Sequence, residues 1–164
     1  MPSLPGRVAA CGIALCLAAC AAKLPVGVSF DPLESFPAEA TWNWNAAANV
    51  LPKDERIVAM QLDPVLREAV GAELAARGYR LEASGNPDYL VSYELGLTTR
   101  VRPETSISVA SLSLLIRDFE TRRRVWMAFV QTGVDTSRSE DERRANIRKV
   151  VAEMLENFPP RRED

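Results

Sequence analysis

The sequence contains no histidine, and its three cysteines, Cys11, Cys16 and Cys20, all lie near its start. Without histidine the chain cannot form a Ser-His-Asp triad, a Cys-His dyad or a histidine-ligated zinc site. Without a thiol after Cys20 the main part of the chain has no internal disulfide and no cysteine-based metal site. We therefore expect no catalytic residues, no cofactor and no metal. A carboxylate pair, a Ser-Lys dyad and an oxygen-ligated cation site remain open alternatives.

Strong charge and long apolar runs are also absent. The formal net charge is −2 over 164 residues, which gives no electrostatic basis for nucleic-acid binding. The apolar segment Val8 to Leu17 is shorter than the roughly 20 residues that a membrane-spanning helix needs. At 47% hydrophobic residues, the chain is apolar enough to form the core of one domain.

The first twenty residues have the layout of an export signal. Arg7 precedes the apolar run, which ends in Leu17-Ala18-Ala19-Cys20. This ending resembles the lipobox of bacterial lipoproteins. The resemblance implies cleavage before Cys20, a diacylglycerol on its sulfur and an acylated amino terminus, so the predicted partner at this end is the membrane. In enterobacterial lipoproteins, an aspartate directly after the lipidated cysteine favours retention in the inner membrane. This sequence has Ala21 at that position, so the resemblance implies the periplasmic face of the outer membrane.

Other interpretations of this segment remain open. Cleavage near Ala21 or Ala22 would release a secreted protein, since Ala19-Cys20-Ala21 also fits a signal-peptidase pattern. An uncleaved anchor helix is disfavoured because the apolar run is short. Cys11 has almost no apolar segment before it, and Cys16 follows the bulky Leu15, so neither matches the lipobox as well as Cys20.

Periodicity predicts one domain between short flanking segments. We assign residues 1–19 to the signal peptide, 20–26 to a lipidated tether, 27–160 to the domain and 161–164 to a frayed tail. Strands are expected over residues 26–30, 41–44, 88–99, 106–116 and 125–134. A first helix begins at the N-cap Asp63 and ends before Gly78, and a second begins at Ser139 with a capping-box pattern.

These elements predict an α+β two-layer sandwich, in which two helices pack on a mostly antiparallel sheet of about five strands in the order β-β-α-β-β-β-α. The apolar side chains of residues 106–116 change phase between Val109 and Leu112. This change predicts either a β-bulge near Ala110-Ser111 or a strand whose two faces are covered unequally.

Several segments in the same order resemble one family of bacterial lipoproteins. They are Val28-Ser29-Phe30-Asp31, Phe36, Trp42-Asn43-Trp44, Leu74 to Tyr79, Pro87 to Tyr93, Leu112 to Asp118, Val125-Trp126 and Phe158-Pro159-Pro160. The chain is similar to domain-of-unknown-function family 4136 over nearly all of its mature length. The family's hairpin turn usually reads Asp-x-x-Thr-Gly-Lys, whereas Arg122 stands here at the glycine position. The resemblance implies no activity and no site residues.

The sequence favours a non-enzymatic, lipid-anchored periplasmic domain that binds or scaffolds another envelope protein. The alternative is a small-ligand or glycan binder that uses an aromatic platform formed by Trp42 and Trp44, which share one face of a predicted strand. The two interpretations differ in whether these tryptophans are exposed beside a concave pocket or buried in the core.

Overall fold

The structure is a computed structural model that describes residues 23–53, 61–83, 85–101, 106–135 and 137–160. The predicted signal peptide, Cys20 and the tail 161–164 lie outside the described residues. Neither helix of the described part has the length and apolar character needed to cross a bilayer.

The described residues form a six-stranded sheet and two α-helices. The strands are β1 (Gly27–Phe30), β2 (Thr41–Trp44), β3 (Arg80–Leu81), β4 (Tyr89–Val101), β5 (Ser106–Asp118) and β6 (Arg124–Gly133). The helices are α1 (Leu62–Ala76), between β2 and β3, and α2 (Glu140–Leu155), after β6. The predicted α+β class and two-layer arrangement are confirmed, and β3 is a sixth strand.

The sheet is mostly antiparallel, as predicted, and becomes mixed because its pairing is parallel at one edge. Its order is β1-β6-β5-β4-β2-β3, and the pairs from β1 to β4 are antiparallel. By contrast, β2 is parallel to both β3 and β4. A parallel pair needs a long crossover, and α1 supplies it between β2 and β3.

Both helices cover the same face of the sheet. The alternating pattern of β4, β5 and β6 directs one set of apolar side chains towards them. These strand residues share a single core with residues of α1 and α2: Tyr89, Val91, Tyr93, Leu95, Leu112, Leu114, Ile116, Trp126, Ala128 and Val130 from the sheet, and Leu66, Val70, Leu74, Val151, Met154 and Leu155 from the helices.

The phase change in β5 comes from unequal coverage of its two faces. Pairing with β4 runs without interruption from Ser106 to Asp118, so the bulge predicted near Ala110 is absent. The register shift with β6 lies instead at Ile116/Arg117. Val109 points to the face without helices, where it is half-buried, which accounts for the apolar residue out of phase.

The two predicted helix starts have different outcomes. Ser139 caps α2 as predicted: its side chain accepts from the backbone N–H of Glu142, and Glu142 accepts from the backbone N–H of Ser139. Helix α1, however, begins at Leu62, and Gln61 occupies the N-cap position with φ 46°. Asp63 lies one residue inside the helix, where its carboxylate binds other side chains rather than capping the backbone.

Candidate functional site

The candidate site is an open apolar cleft between the first turns of the two helices and the sheet. It lies towards the end of the sheet at which β4 and β6 end and β5 begins. Its volume is about 120 Å³. We call it the interhelical cleft and define it by these lining residues: Leu62, Leu66, Leu95, Ala110, Leu112, Val130, Thr132, Gly133, Val134, Asp135, Arg138, Arg143, Asn146, Ile147 and Val150.

Small side chains at the end of the sheet create the cleft. The row formed by Leu95, Leu112 and Val130 makes an apolar floor. In the next row outward, Ala110 pairs with Leu97 on one side and Thr132 on the other. Because Ala110 and Thr132 are smaller than the leucines and valine of the previous row, the space between the helices and the sheet is not filled there.

One wall of the cleft is positioned by a buried hydroxyl. Tyr93, which is fully buried in β4, donates from its hydroxyl to the carboxylate of Asp63. Asp63 also accepts from Arg67 Nε at 2.9 Å, one turn further along α1. These contacts fix the first turn of α1 against the sheet and so place Leu62 and Leu66 along the cleft.

The mouth of the cleft is polar and carries two arginines. Arg138 pairs with Asp135, with 3.3 Å between Nε and Oδ2. Hydrogen bonds from the Ser137 hydroxyl and backbone N–H, followed by the contact with Arg138, lower the pKa of Asp135. This carboxylate therefore stays ionised and neutralises Arg138.

Arg143 differs from Arg138 in having no ion-pair partner among the described residues. Its Nη1 atom donates to the backbone carbonyl of Arg138 at 2.5 Å. Arg143 contributes a favourable charge interaction to Glu140, but the ion pair of Glu140 is with Arg144. The mouth therefore holds a half-buried guanidinium whose charge is not neutralised by a direct contact.

The structure does not form the aromatic platform that the alternative interpretation requires. Trp42 is only 3% exposed and belongs to the core. Trp44 is half-buried, packs edge-on against Trp42 with ring centroids 5.3 Å apart, and is covered by the Arg67 guanidinium 4.9 Å above its ring. Neither tryptophan lines the interhelical cleft. A shared stacking surface is therefore absent, because one ring is in the core and the other is already covered.

The segment before β1, which the sequence predicts to be the tether, contacts the other end of α2. Lys23, three residues beyond Cys20, pairs with Glu156 at 2.6 Å, and this contact raises the pKa of the lysine. The backbone N–H of Leu24 donates to Glu153 at 2.8 Å. The axis of α2 from Glu153 to Arg143 is about 15 Å long, at a rise of about 1.5 Å per residue. The contact at Glu153 is therefore distant from the cleft mouth at Arg143, although Val150, at the inner end of the cleft, lies within one turn of Glu153.

Most of the apolar residues of the cleft are recognisable from the sequence, but the cleft itself is not. Periodicity marks Leu95, Leu112, Ile147 and Val150 as core residues, and all four line the cleft. The only local signal of a void is the small Ala110 at a helix-facing position. Its significance depends on Thr132 lying in the same row, which the sequence does not show.

These features define a two-layer α+β domain with an open apolar cleft between its helices and its sheet. The chain belongs to the family described as Domain of unknown function (DUF4136), whose profile matches residues 26–160. No protein with a curated description matches the sequence.

Solved structures with a similar fold have low sequence identity to this chain. A PDZ domain protein from Parabacteroides distasonis has a TM-score of 0.58 and 15% identity, over 85% of this chain and 36% of the other. This chain thus spans about a third of that protein. A PelC dodecamer from Paraburkholderia phytofirmans has a TM-score of 0.49 and 13% identity, over 79% of this chain and 95% of the other. Lipoprotein GNA1162 from Neisseria meningitidis has a TM-score of 0.41 and 13% identity, over 74% of this chain and 99% of the other. The first of these likenesses concerns the fold alone.

Proposed function

We propose that this protein is a non-enzymatic, lipid-anchored binding domain of the bacterial envelope. Cys20 carries the lipid and holds the domain on the periplasmic face of the outer membrane. The interhelical cleft engages another envelope protein. The observation that carries this proposal is an open apolar cleft whose mouth, at Arg143, lies away from the contact that Lys23 and Leu24 make at the end of α2.

The docked tether supports a single working orientation of the domain. Lys23 and Leu24 are held against the end of α2, so the lipid on Cys20 begins within three residues of a fixed point on the fold. The mouth of the cleft, at Arg143, lies about 15 Å from Glu153 along the same helix, and the inner end of the cleft reaches Val150, one turn from Glu153. A partner can therefore reach the cleft while the protein stays anchored.

The side chains of the cleft support binding rather than catalysis. Asp135 is the one carboxylate among the described residues that line it, and its charge is held by Ser137 and Arg138. Hydrolysis by a pair of carboxylates, the alternative that the sequence left open, needs two such groups with pKa values pushed apart. Across the described residues, no group of three or more acidic side chains is arranged to hold a metal ion.

The anchor is tested by the intact mass of the mature protein purified from membranes, together with sucrose-gradient fractionation. We expect Cys20 as the acylated first residue and the protein in the outer-membrane fraction. In Cys20→Ala, lipid attachment and this fractionation are both lost. An unmodified Cys20, or a mature chain that begins after Ala21, would contradict the proposed anchoring.

The binding role is tested by photocrosslinking in living cells. A photoreactive amino acid replaces Asn146 at the cleft mouth or, as the matched control, the neighbouring Ala145, which is exposed and does not line the cleft. We expect a discrete adduct with an envelope protein from position 146 and not from position 145. Equal adducts at the two positions, or no protein adduct at position 146, would overturn the proposed role of the cleft.

A further inference from the structure

We propose that the interhelical cleft binds a peptide segment of its partner that carries one apolar side chain beside an aspartate or glutamate. The apolar side chain enters the cleft and Arg143 binds the carboxylate. This inference rests on the proposed binding function and specifies the chemistry that the site recognises.

The size of the cleft limits what enters it. A cavity of about 150 Å³ lined by leucine, isoleucine and phenylalanine holds one benzene molecule. The cleft, at about 120 Å³, is of similar size. It therefore has room for one leucine-sized or phenylalanine-sized group rather than for a whole lipid acyl chain.

The walls and floor favour an apolar group at this position. Leu66 and Val150 face the cleft from the two helices, and Leu112 lies beneath it. All three are buried. Transfer of an apolar side chain from water to such a surface is favourable in proportion to the area removed from water.

The mouth adds a requirement for negative charge. Arg138 is already paired with Asp135, whereas the Arg143 guanidinium makes one hydrogen bond, to a backbone carbonyl, and no ion pair within the described residues. A guanidinium presents its donors in a planar fork that matches a carboxylate, and such a pair is strengthened by partial removal from water. An acidic residue next to the apolar one would supply the missing counter-charge.

Two further polar groups at the rim suit a peptide chain that crosses the cleft. Asn146 and Thr132 line it from α2 and β6 respectively. The Asn146 side chain makes no hydrogen bond with the other described residues, so its amide is free to pair with a peptide group. An internal segment, with main chain on both sides of the inserted side chain, uses both rim residues.

The test is a selection of random peptides, displayed with no free carboxyl terminus, on the full-length lipidated protein in phosphatidylethanolamine–phosphatidylglycerol vesicles. The wild type is compared with Arg143→Glu and, as the matched control, Arg148→Glu. Arg148 lies on the same helix and pairs with Glu68 away from the cleft. An Ala110→Leu variant fills the cleft, and Ser113→Leu enlarges a side chain on the opposite face of the same strand.

We expect the wild type and Arg148→Glu to enrich an apolar residue next to aspartate or glutamate at least tenfold. Arg143→Glu should enrich an apolar residue next to lysine or arginine, a change of specificity that unfolding cannot imitate. Ala110→Leu should lose the enrichment, whereas Ser113→Leu keeps it, with unfolding temperatures recorded for both.

Selection of the same peptides by wild type and Arg143→Glu would overturn the inference. The inference would also be overturned if the wild type enriched apolar peptides without an adjacent acidic residue, or if it enriched no peptides. Crosslinking at Asn146 in cells reports on the binding function by a separate readout. A protein adduct there without peptide enrichment would leave the function standing and reject this ligand chemistry.

Discussion

Tyr79 and Tyr93 are both buried, but only one of their hydroxyls has a hydrogen-bond partner. Tyr93 donates to Asp63 and so holds the first turn of α1. The Tyr79 hydroxyl is fully buried, with no partner among the described residues, and burial raises the pKa of this phenol. A hydrogen bond to a charged group contributes more to stability than a neutral one, whereas an unpaired buried hydroxyl contributes a desolvation cost.

We predict that Tyr93→Phe lowers the free energy of unfolding by about 1.5 kcal/mol. This is the low end for a bond to a charged group, chosen because Asp63 is partly exposed. The matched variant Tyr79→Phe should be neutral or slightly stabilising, because it removes a hydroxyl that makes no bond. Chemical denaturation of the two variants measures both values. Equal losses would show that ring packing, and not the hydroxyl of Tyr93, determines the effect.

At the scale of elements, the β5–β6 hairpin shows how a turn forms without its usual glycine. Asp118 accepts from the backbone N–H and hydroxyl of Thr121 at 2.7 and 2.6 Å. The hydroxyl bond is the main reason that the pKa of Asp118 is lowered. Arg122 then adopts a left-handed conformation with φ 60°. The family resemblance places glycine at this position, and here a non-glycine residue bears the cost of the left-handed conformation.

We predict that Arg122→Gly raises the free energy of unfolding by about 0.5–1 kcal/mol. A left-handed L-residue costs about 1–2 kcal/mol. Loss of the contact between Arg122 and the Phe119 ring, 4.5 Å away, and the added freedom of glycine in the unfolded chain together offset about 0.5–1 kcal/mol of this gain. Arg123→Gly, one residue on, should be destabilising, since it adds backbone freedom to the unfolded chain and removes the pair with Asp31. A loss of stability in Arg122→Gly, measured by urea unfolding, would contradict this account.

Helix α2 depends on its capping box at the end that borders the cleft. We predict that Ser139→Ala lowers the free energy of unfolding by about 1 kcal/mol, because the backbone N–H of Glu142 loses its acceptor. Ser137→Ala, two residues earlier and outside the box, provides the comparison. A smaller loss for Ser139→Ala than for Ser137→Ala, measured by thermal unfolding, would argue against the role of the cap.

The same cap predicts a pH dependence. Hydrogen bonding from the backbone N–H and then the side chain of Ser139 lowers the pKa of Glu142. The unfolded chain therefore binds a proton at a higher pH than the folded one, and stability rises with pH across this range. This contribution is present above the ordinary glutamate pKa of about 4.3 and is lost as the pH falls below it.

We predict that Glu142→Gln, which keeps an acceptor for the Ser139 N–H, flattens the fall of unfolding temperature in acid. Asp141→Asn, in the same helical turn, is the control, because the Asp141 carboxylate makes no hydrogen bond with the other described residues. Thermal unfolding from pH 3 to pH 7 provides the measurement. An unchanged slope in Glu142→Gln would contradict the assignment of this pH dependence to the cap.

At the scale of the whole molecule, stability rests on one continuous core. The core joins all the long strands and both helices, and it closes with Phe158, whose ring packs against Tyr79 and Trp126 at 5.2 and 5.1 Å. A single core of this kind is expected to unfold in one cooperative step. The sequence adds a second constraint, since no cysteine follows Cys20.

We predict one unfolding transition for the mature protein, with the same midpoint in the presence and absence of dithiothreitol. The reason is that a chain beginning at a lipidated Cys20 has no thiol for a disulfide. Calorimetry under both conditions provides the measurement. A midpoint that falls on reduction would show that a second cysteine is retained, and so that the signal is not cleaved before Cys20.

The sequence by itself determined the features that depend on neighbouring residues. The alternation of β4 and β6, the amphipathic α2 with its Ser139 cap, and Gly78 beyond α1 with φ 88° all follow from local periods and local backbone preferences. Glycine is suited to a positive φ at that position because it has no Cβ. The two-layer α+β class followed from combining these local elements.

Only the tertiary structure decided which elements lie side by side. The parallel position of β2 between β3 and β4, the contact of Asp63 with Tyr93, and the row that brings Ala110 beside Thr132 all depend on pairings between distant parts of the chain. Such pairings are selected by burial over the whole sheet rather than by local preference. For the same reason the interhelical cleft, with Arg143 at its mouth, emerged only when three strands and two helices were assembled.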